Sequence, residues 1–119
     1  MTVTMDIETV YQRGFQYRCE GRYREAREQF EQVLASDPQH ANSHWQIGLI
    51  QGFEGDFDGS LATLQRVVNQ CPTHNQARYD MAMTMMMLGM FDEACASFRQ
   101  VLAQDPSHED AKRQLAFCP

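Results

Sequence analysis

A long internal repeat runs through this sequence and constrains its fold more than any other feature. Pro38, Pro72 and Pro106 are equally spaced along the chain. The same interval relates a glycine, two aromatic or large apolar residues and a valine in every copy: Gly21, Gly55, Gly89; Tyr23, Phe57, Phe91; Phe30, Leu64, Phe98; Val33, Val67, Val101. A repeat of this length is one supersecondary unit that buries its apolar face by stacking on its neighbours. We therefore interpret the period as a real internal repeat.

Each copy contains an amphipathic helical stripe. Ala26, Phe30, Val33 and Leu34 follow the i, i+4, i+7, i+8 spacing of one helix face, and the spacing recurs one and two periods later. A glycine placed to end a helix precedes each stripe, and a proline that disfavours helix at the preceding residue follows it. The pattern predicts seven helices, at 7–20, 23–36, 41–54, 57–70, 75–88, 91–104 and 108–116, with no strand. Thr73 and Ser107 are expected to cap the helices that follow them.

The small residues one period apart complete a recognisable motif: Gly14, Gly48, Ala82, Ala116 and Ala26, Ser60, Ala94. With these residues the chain resembles the tetratricopeptide repeat (TPR) family, whose unit is a 34-residue helix–turn–helix. The resemblance implies an all-α, right-handed α-solenoid of three hairpins, at residues 7–40, 41–74 and 75–108, with a short capping helix in 109–119. The sequence departs from the family where Cys71 replaces the usual aspartate and where a first-helix aromatic residue is missing.

The resemblance places partner binding on the concave face, formed by the first helix of each repeat. The positions concerned carry mostly aromatic residues and methionine: Tyr11, Phe15, Trp45, Gln46, Leu49, Phe53, Tyr79, Asp80, Met83, Met86, Met87. Any one of them could instead be a core residue, which is the commoner role for an apolar stripe. Together they exceed what one hairpin face can hide, and an exposed apolar patch above about 400 Å² marks an interaction site.

These residues favour a non-catalytic module that binds a protein or peptide segment through apolar anchors, either extended or as an amphipathic helix. The alternative is a scaffold that self-associates through the groove, or through a C-terminal end that Leu115 and Phe117 would cap poorly. The family members that clamp carboxylate tails of heat-shock chaperones use cationic groove residues. Those positions are uncharged or acidic here, so we expect no such partner: Tyr11, Phe15, Gln46, Gln76, Asp80.

Composition excludes several other function classes. The 119 residues include 10 Lys and Arg against 16 Asp and Glu, and this charge of −6 disfavours nucleic acid. No apolar run could cross a bilayer, and Met1–Asp6 does not resemble a secretory signal. We expect no membrane partner, no cofactor and no enzymatic activity. A copper site on the methionines is disfavoured because a helix points them in several directions. Four cysteines lie far apart and form no C-x-x-C pair, and without a secretory signal we interpret them as reduced thiols of a cytoplasmic protein: Cys19, Cys71, Cys95, Cys118.

Overall fold

The structure is a computed structural model that describes residues 6–119, and within that range it contains seven helices and no strand. They are α1 (Ile7–Cys19), α2 (Tyr23–Ser36), α3 (Ala41–Phe53), α4 (Phe57–Gln70), α5 (Asn75–Met87), α6 (Phe91–Gln104) and α7 (Glu109–Leu115). The start of the chain, for which no secretory signal is expected, lies almost wholly outside the described residues. The all-α helical repeat fold predicted from the sequence is confirmed, and the helix bounds agree with the prediction to within one residue at most ends.

The helices form three antiparallel hairpins, α1 with α2, α3 with α4 and α5 with α6, and α7 packs on α6. The hairpins stack in chain order into an elongated body of 61 × 27 × 21 Å. The first helices of the hairpins, α1, α3 and α5, contact one another along one surface. The apolar interior falls into two clusters, one around Phe30 and Ile50 and a larger one around Leu64 and Phe98.

Glycine sets the geometry inside the hairpins in two ways. Gly21, Gly55 and Gly89 link the two helices of each hairpin with φ of 77°, 86° and 78°. This left-handed backbone conformation is less favourable for a residue that has a Cβ atom than for glycine. Gly48 lies against the second helix instead, where an added Cβ would be 2.8 Å from Leu64 Cδ2. This close approach lets α3 and α4 pack without a gap.

Histidines cap the first helix of the second and third repeats and α7, where Thr73 and Ser107 were expected. Nδ1 of His74 accepts the Ala77 amide at 3.1 Å, and Nδ1 of His108 accepts the Ala111 amide at 3.1 Å. His40 accepts the Ser43 amide in the same way. The capping prediction was therefore wrong by one residue. The unprotonated Nδ1 of each histidine accepts the hydrogen bond that a serine or threonine oxygen usually accepts at the start of a helix.

The C-terminal residues are tied to α6 by a disulfide between Cys95 and Cys118. The prediction of four reduced thiols is wrong for this pair, whereas Cys19 and Cys71 are free. The two bonded residues are 23 apart in sequence, and only the fold of α7 back along α6 brings them together. Because disulfides persist mainly in oxidising compartments, one ground for expecting a cytoplasmic protein is removed.

The last helix caps the stack better than the sequence suggested. Ala111 is fully buried, and Leu115 packs against the larger core cluster. Only Phe117 is left out, with 79% of its surface exposed. None of the helices between residues 6 and 119 is long and apolar enough to cross a bilayer.

Candidate partner-binding cleft

A cleft of about 340 Å³ opens between the second and third repeats. Three helices supply its walls, and most of the lining side chains are apolar: Leu49, Gly52, Phe53 from α3; Phe57, Ser60, Leu64 from α4; Asp80, Met83, Thr84, Met87 from α5. Five of these residues belong to the groove predicted from the sequence. We call this site the apolar cleft.

The apolar residues face one another because of helical periodicity. Leu49 and Phe53 are four residues apart on α3, and Met83 and Met87 are four apart on α5, so each pair lies on one helix face. Phe53 is 55% exposed and Met87 is 64% exposed. The Phe53 ring stacks on Tyr23 with the centroids 5.7 Å apart, which holds it at the rim. The cleft is thus apolar, open and framed by adaptable methionines.

The polar side chains in the floor of the cleft bond within the protein. The Ser60 hydroxyl donates to the carbonyl oxygen of Gly48 at 2.8 Å, and the Thr84 hydroxyl donates to the Asp80 carbonyl at 3.0 Å. These bonds leave the floor with little capacity to hydrogen-bond a ligand. Among the described residues, Asp80 supplies the one charged group in the lining.

Asp80 is a half-buried carboxylate held by neutral donors. Trp45 Nε1 donates to Oδ2 at 2.7 Å, and Gln76 Nε2 donates to Oδ1 at 3.5 Å. Burial raises the pKa of Asp80 to about 6, although the two hydrogen bonds and the charges of Arg18 and His108 act to lower it. The carboxylate is therefore mostly ionised at pH 7 but close to its titration range.

The structure does not place Tyr11 and Gln46 on the concave surface, where the sequence analysis put them. Gln46 is fully buried, and its Nε2 donates to the Tyr11 hydroxyl at 3.1 Å. Tyr11 packs on Phe30 and His40, and burial raises the pKa of its phenol. These two side chains join the first and second repeats and are covered, so a partner cannot reach them in this conformation.

The remaining predicted groove residues differ in accessibility. Phe15 is 38% exposed and has the Arg18 guanidinium 5.0 Å from its ring centroid. Tyr79 packs between Phe98 and His108, and Met86 lies against the larger core cluster. Trp45 donates its indole N–H to Asp80 and sets its ring against His74 at 5.0 Å.

Sequence reasoning missed the wall that α4 contributes, which includes Phe57 and Leu64. Both residues belong to classes that recur once in every repeat, and the sequence analysis did not assign either of them to the groove. The missed signal was the exposed end of the hairpin. Phe57 begins α4 directly after the turn that follows Phe53, and two aromatic residues flanking a turn lie at the same end of a hairpin.

Family models match nearly the whole described chain. One tetratricopeptide repeat model matches residues 7–40, and a second matches residues 43–74 and 76–108. No curated protein matches the sequence significantly.

Solved structures with the same fold include three of particular interest. MamA superimposes with a TM-score of 0.83 at 18% identity, over 92% of this chain and 64% of that one, so this chain spans less than two thirds of MamA. The first TPR of Spaghetti (RPAP3), solved with the HSP90 peptide SRMEEVD, has a TM-score of 0.87 at 17% identity and covers 92% and 89%. YrrB, described as a TPR protein with an unusual peptide-binding site, has a TM-score of 0.76 at 28% identity, and the match covers 92% of this chain and 56% of that one.

Proposed function

The chain belongs to the tetratricopeptide repeat family, a family of protein-interaction modules, and on this premise we propose that its apolar cleft binds a protein or peptide segment. The role is non-catalytic, as is general for the family. Two structural relatives support a peptide ligand, because one was solved with a peptide and the other is described as having a peptide-binding site. Their identity to this chain is too low to transfer a partner.

The observation that carries the proposal is the exposure of large apolar side chains around a concave volume. Phe53 and Met87 stand at the rim with more than half of their surface in solvent, and Leu49 and Met83 line the interior. The volume of about 340 Å³ admits one or two large side chains of a partner. Burying a leucine or phenylalanine side chain contributes about 1.5–3 kcal/mol, so one anchor supports a weak, reversible complex.

The site also supports the expectation that chaperone carboxylate tails are not bound. A terminal carboxylate entering the cleft would meet the Asp80 carboxylate, and two like charges at short range repel each other. Gln76 offers only a neutral amide, which is already directed at Asp80.

The proposal is tested by selecting ligands from a phage-displayed library of random 12-residue peptides on the immobilised protein. The selected peptides are then titrated against Phe53→Ser and Met87→Ser, with Phe117→Ser as the matched control outside the cleft. We expect each cleft variant to weaken binding by about tenfold, the equivalent of about 1.4 kcal/mol, and the control to leave it unchanged. Equal affinity for all four proteins would refute the assignment of the cleft.

Self-association through the C-terminal end is a second candidate, favoured by the exposure of Phe117. This side chain is 79% exposed directly after α7, where a second copy could stack. Light scattering on a size-exclusion column over a hundredfold concentration range separates the candidates. A dimer that Phe117→Ser abolishes supports the scaffold, and a monomer at every concentration removes it.

A further inference from the structure

The carboxylate of Asp80 is the only charged group that faces the apolar cleft, and it has no ionic partner in the described part of the chain. Both oxygens receive hydrogen bonds, from Trp45 Nε1 and Gln76 Nε2, and both donors are neutral. Among residues 6–119, no lysine, arginine or histidine lies within ion-pair distance of it. A half-buried anion without a counterion is costly, so its place in the lining needs a reason.

The inter-repeat contact that Asp80 makes does not require a charge. One repeat earlier, Gln46 stands at the equivalent position and bonds Tyr11 with a neutral amide. An asparagine at position 80 could accept the indole N–H of Trp45 equally well. The stacking of the repeats therefore does not need the negative charge of Asp80. The two positions differ in their surroundings, because Asp80 borders the open cleft and Gln46 is fully buried.

We propose that the bound segment carries a lysine or arginine beside its apolar anchor, and that this cation pairs with Asp80 while the anchor fills the apolar cleft. The inference rests on the proposed function and specifies the partner's chemistry. Charge complementarity supports it, because the chain has a net charge of −6 and an approaching cationic segment is attracted over long range. Burial of Asp80 strengthens the pairing, since charges interact more strongly away from water.

Arg18 is the neighbouring charge that limits this pairing. It acts on Asp80 at longer range than an ion pair, and its guanidinium lies over the Phe15 ring. The partner cation therefore enters from the side of Met83 and Met87, which also line the cleft with Asp80. Arg18 reduces the benefit of the new ion pair without occupying its place.

The test compares peptide selections on the wild-type protein and on Asp80→Asn, which keeps the shape and the acceptor for Trp45. The probe is the same phage-displayed library of random 12-residue peptides. We expect wild-type selections to be enriched in lysine or arginine within a few positions of a large apolar residue. Asp80→Asn selections should keep the apolar residue and lose the enrichment in cations.

A double-mutant cycle then measures the pairing itself. The strongest wild-type peptide is compared with a version in which its lysine is replaced by norleucine, against both proteins. We expect the replacement to weaken binding about tenfold to the wild type and less than twofold to Asp80→Asn.

Results that differ from these expectations would contradict either the ion pair or the proposed function, and the two cases can be told apart. Selected peptides without cationic enrichment, or a replacement that weakens binding equally to both proteins, would overturn the ion pair and leave the apolar cleft as a binding site. Peptides insensitive to Phe53→Ser and Met87→Ser would instead refute the proposed function. A dimer that Phe53→Ser dissociates would show that a second copy occupies the cleft and would overturn the cationic peptide.

Discussion

Two contacts between neighbouring repeats have the same register and different chemistry. Tyr11 bonds Gln46 between the first and second repeats, and Trp45 bonds Asp80 between the second and third, each across 35 residues. The first pair is neutral and sealed, whereas the second is charged and borders the cleft. The fold thus uses this position for stacking alone at Gln46, and under the proposed function it uses it for both stacking and binding at Asp80.

The largest effect is expected where the two chemistries are exchanged, in Gln46→Glu. A carboxylate at this fully buried position would lose its hydration. We expect the free energy of unfolding to fall by about 2–4 kcal/mol at pH 7, measured by urea denaturation followed by helix circular dichroism. Gln12→Glu is the control, because Gln12 has the same repeat position but is exposed. Equal losses in the two variants would show that burial does not separate the sites.

The converse exchange, Asp80→Asn, should stabilise the protein above pH 6. The pKa of Asp80 lies at about 6 in the folded state against 3.8 for the free group, so its stabilisation is complete below pH 3.8 and is lost as the pH rises through about 6. Arg18, His108, Trp45 and Gln76 oppose this shift but do not cancel it. We expect a gain of about 1–2 kcal/mol at pH 8 and none at pH 4, from urea denaturation across pH. A loss of stability at pH 8 would contradict the cost assigned to the charge.

The contributions of the two aromatic partners, the donor Trp45 and the acceptor Tyr11, can be separated by Trp45→Phe and Tyr11→Phe. Each removes one inter-repeat hydrogen bond, and we expect each to cost about 1 kcal/mol. Only Trp45→Phe should raise the pKa of Asp80 further, because the indole N–H donates to that carboxylate. An NMR titration of the Asp80 carboxyl group provides the measurement. An unchanged pKa in Trp45→Phe would show that the bond does not hold the charge.

The smallest effect concerns His74, which caps α5 and packs on Trp45. Burial lowers its pKa below 6.5, so the stability it contributes is complete above pH 6.5 and is lost as the pH falls toward the folded-state pKa. This sign is opposite to that of Asp80. In His74→Asn, which can still cap, we expect stability to fall less as the pH decreases below 6.5. His44→Asn, away from the cap, is the control, and a fall that stays as steep in His74→Asn would assign the effect to another group.

The sequence was sufficient for the solenoid because its information is periodic. The prolines and the glycines with positive φ recur at one fixed interval, so the residues that mark the helix ends occur in each of the three repeats. Five of the eleven predicted groove residues line the cleft for a similar reason, since repeat positions define the concave surface: Leu49, Phe53, Asp80, Met83, Met87.

What periodicity could not supply was the difference between equivalent positions. Tyr11 and Trp45 have the same register, but whether a position is covered depends on side-chain size across the repeat junction, and this has no signature in one sequence. The caps at His74 and His108 were missed because Thr73 and Ser107 precede them, and threonine and serine are the commoner capping residues. The disulfide was missed because Cys95 and Cys118 meet only through the turn before α7.

That disulfide also determines the order in which the molecule comes apart. In a solenoid each repeat is held only by its neighbours, so opening starts at an end. The bond closes a 23-residue loop and strengthens the α6–α7 end by about 3 kcal/mol, whereas the α1–α2 hairpin is held by packing and hydrogen bonds. We therefore expect local unfolding to begin at the α1–α2 end rather than at the α6–α7 end. We expect the surfaces of α3, α4 and α5 that are proposed to receive a partner to stay packed together while the first hairpin opens.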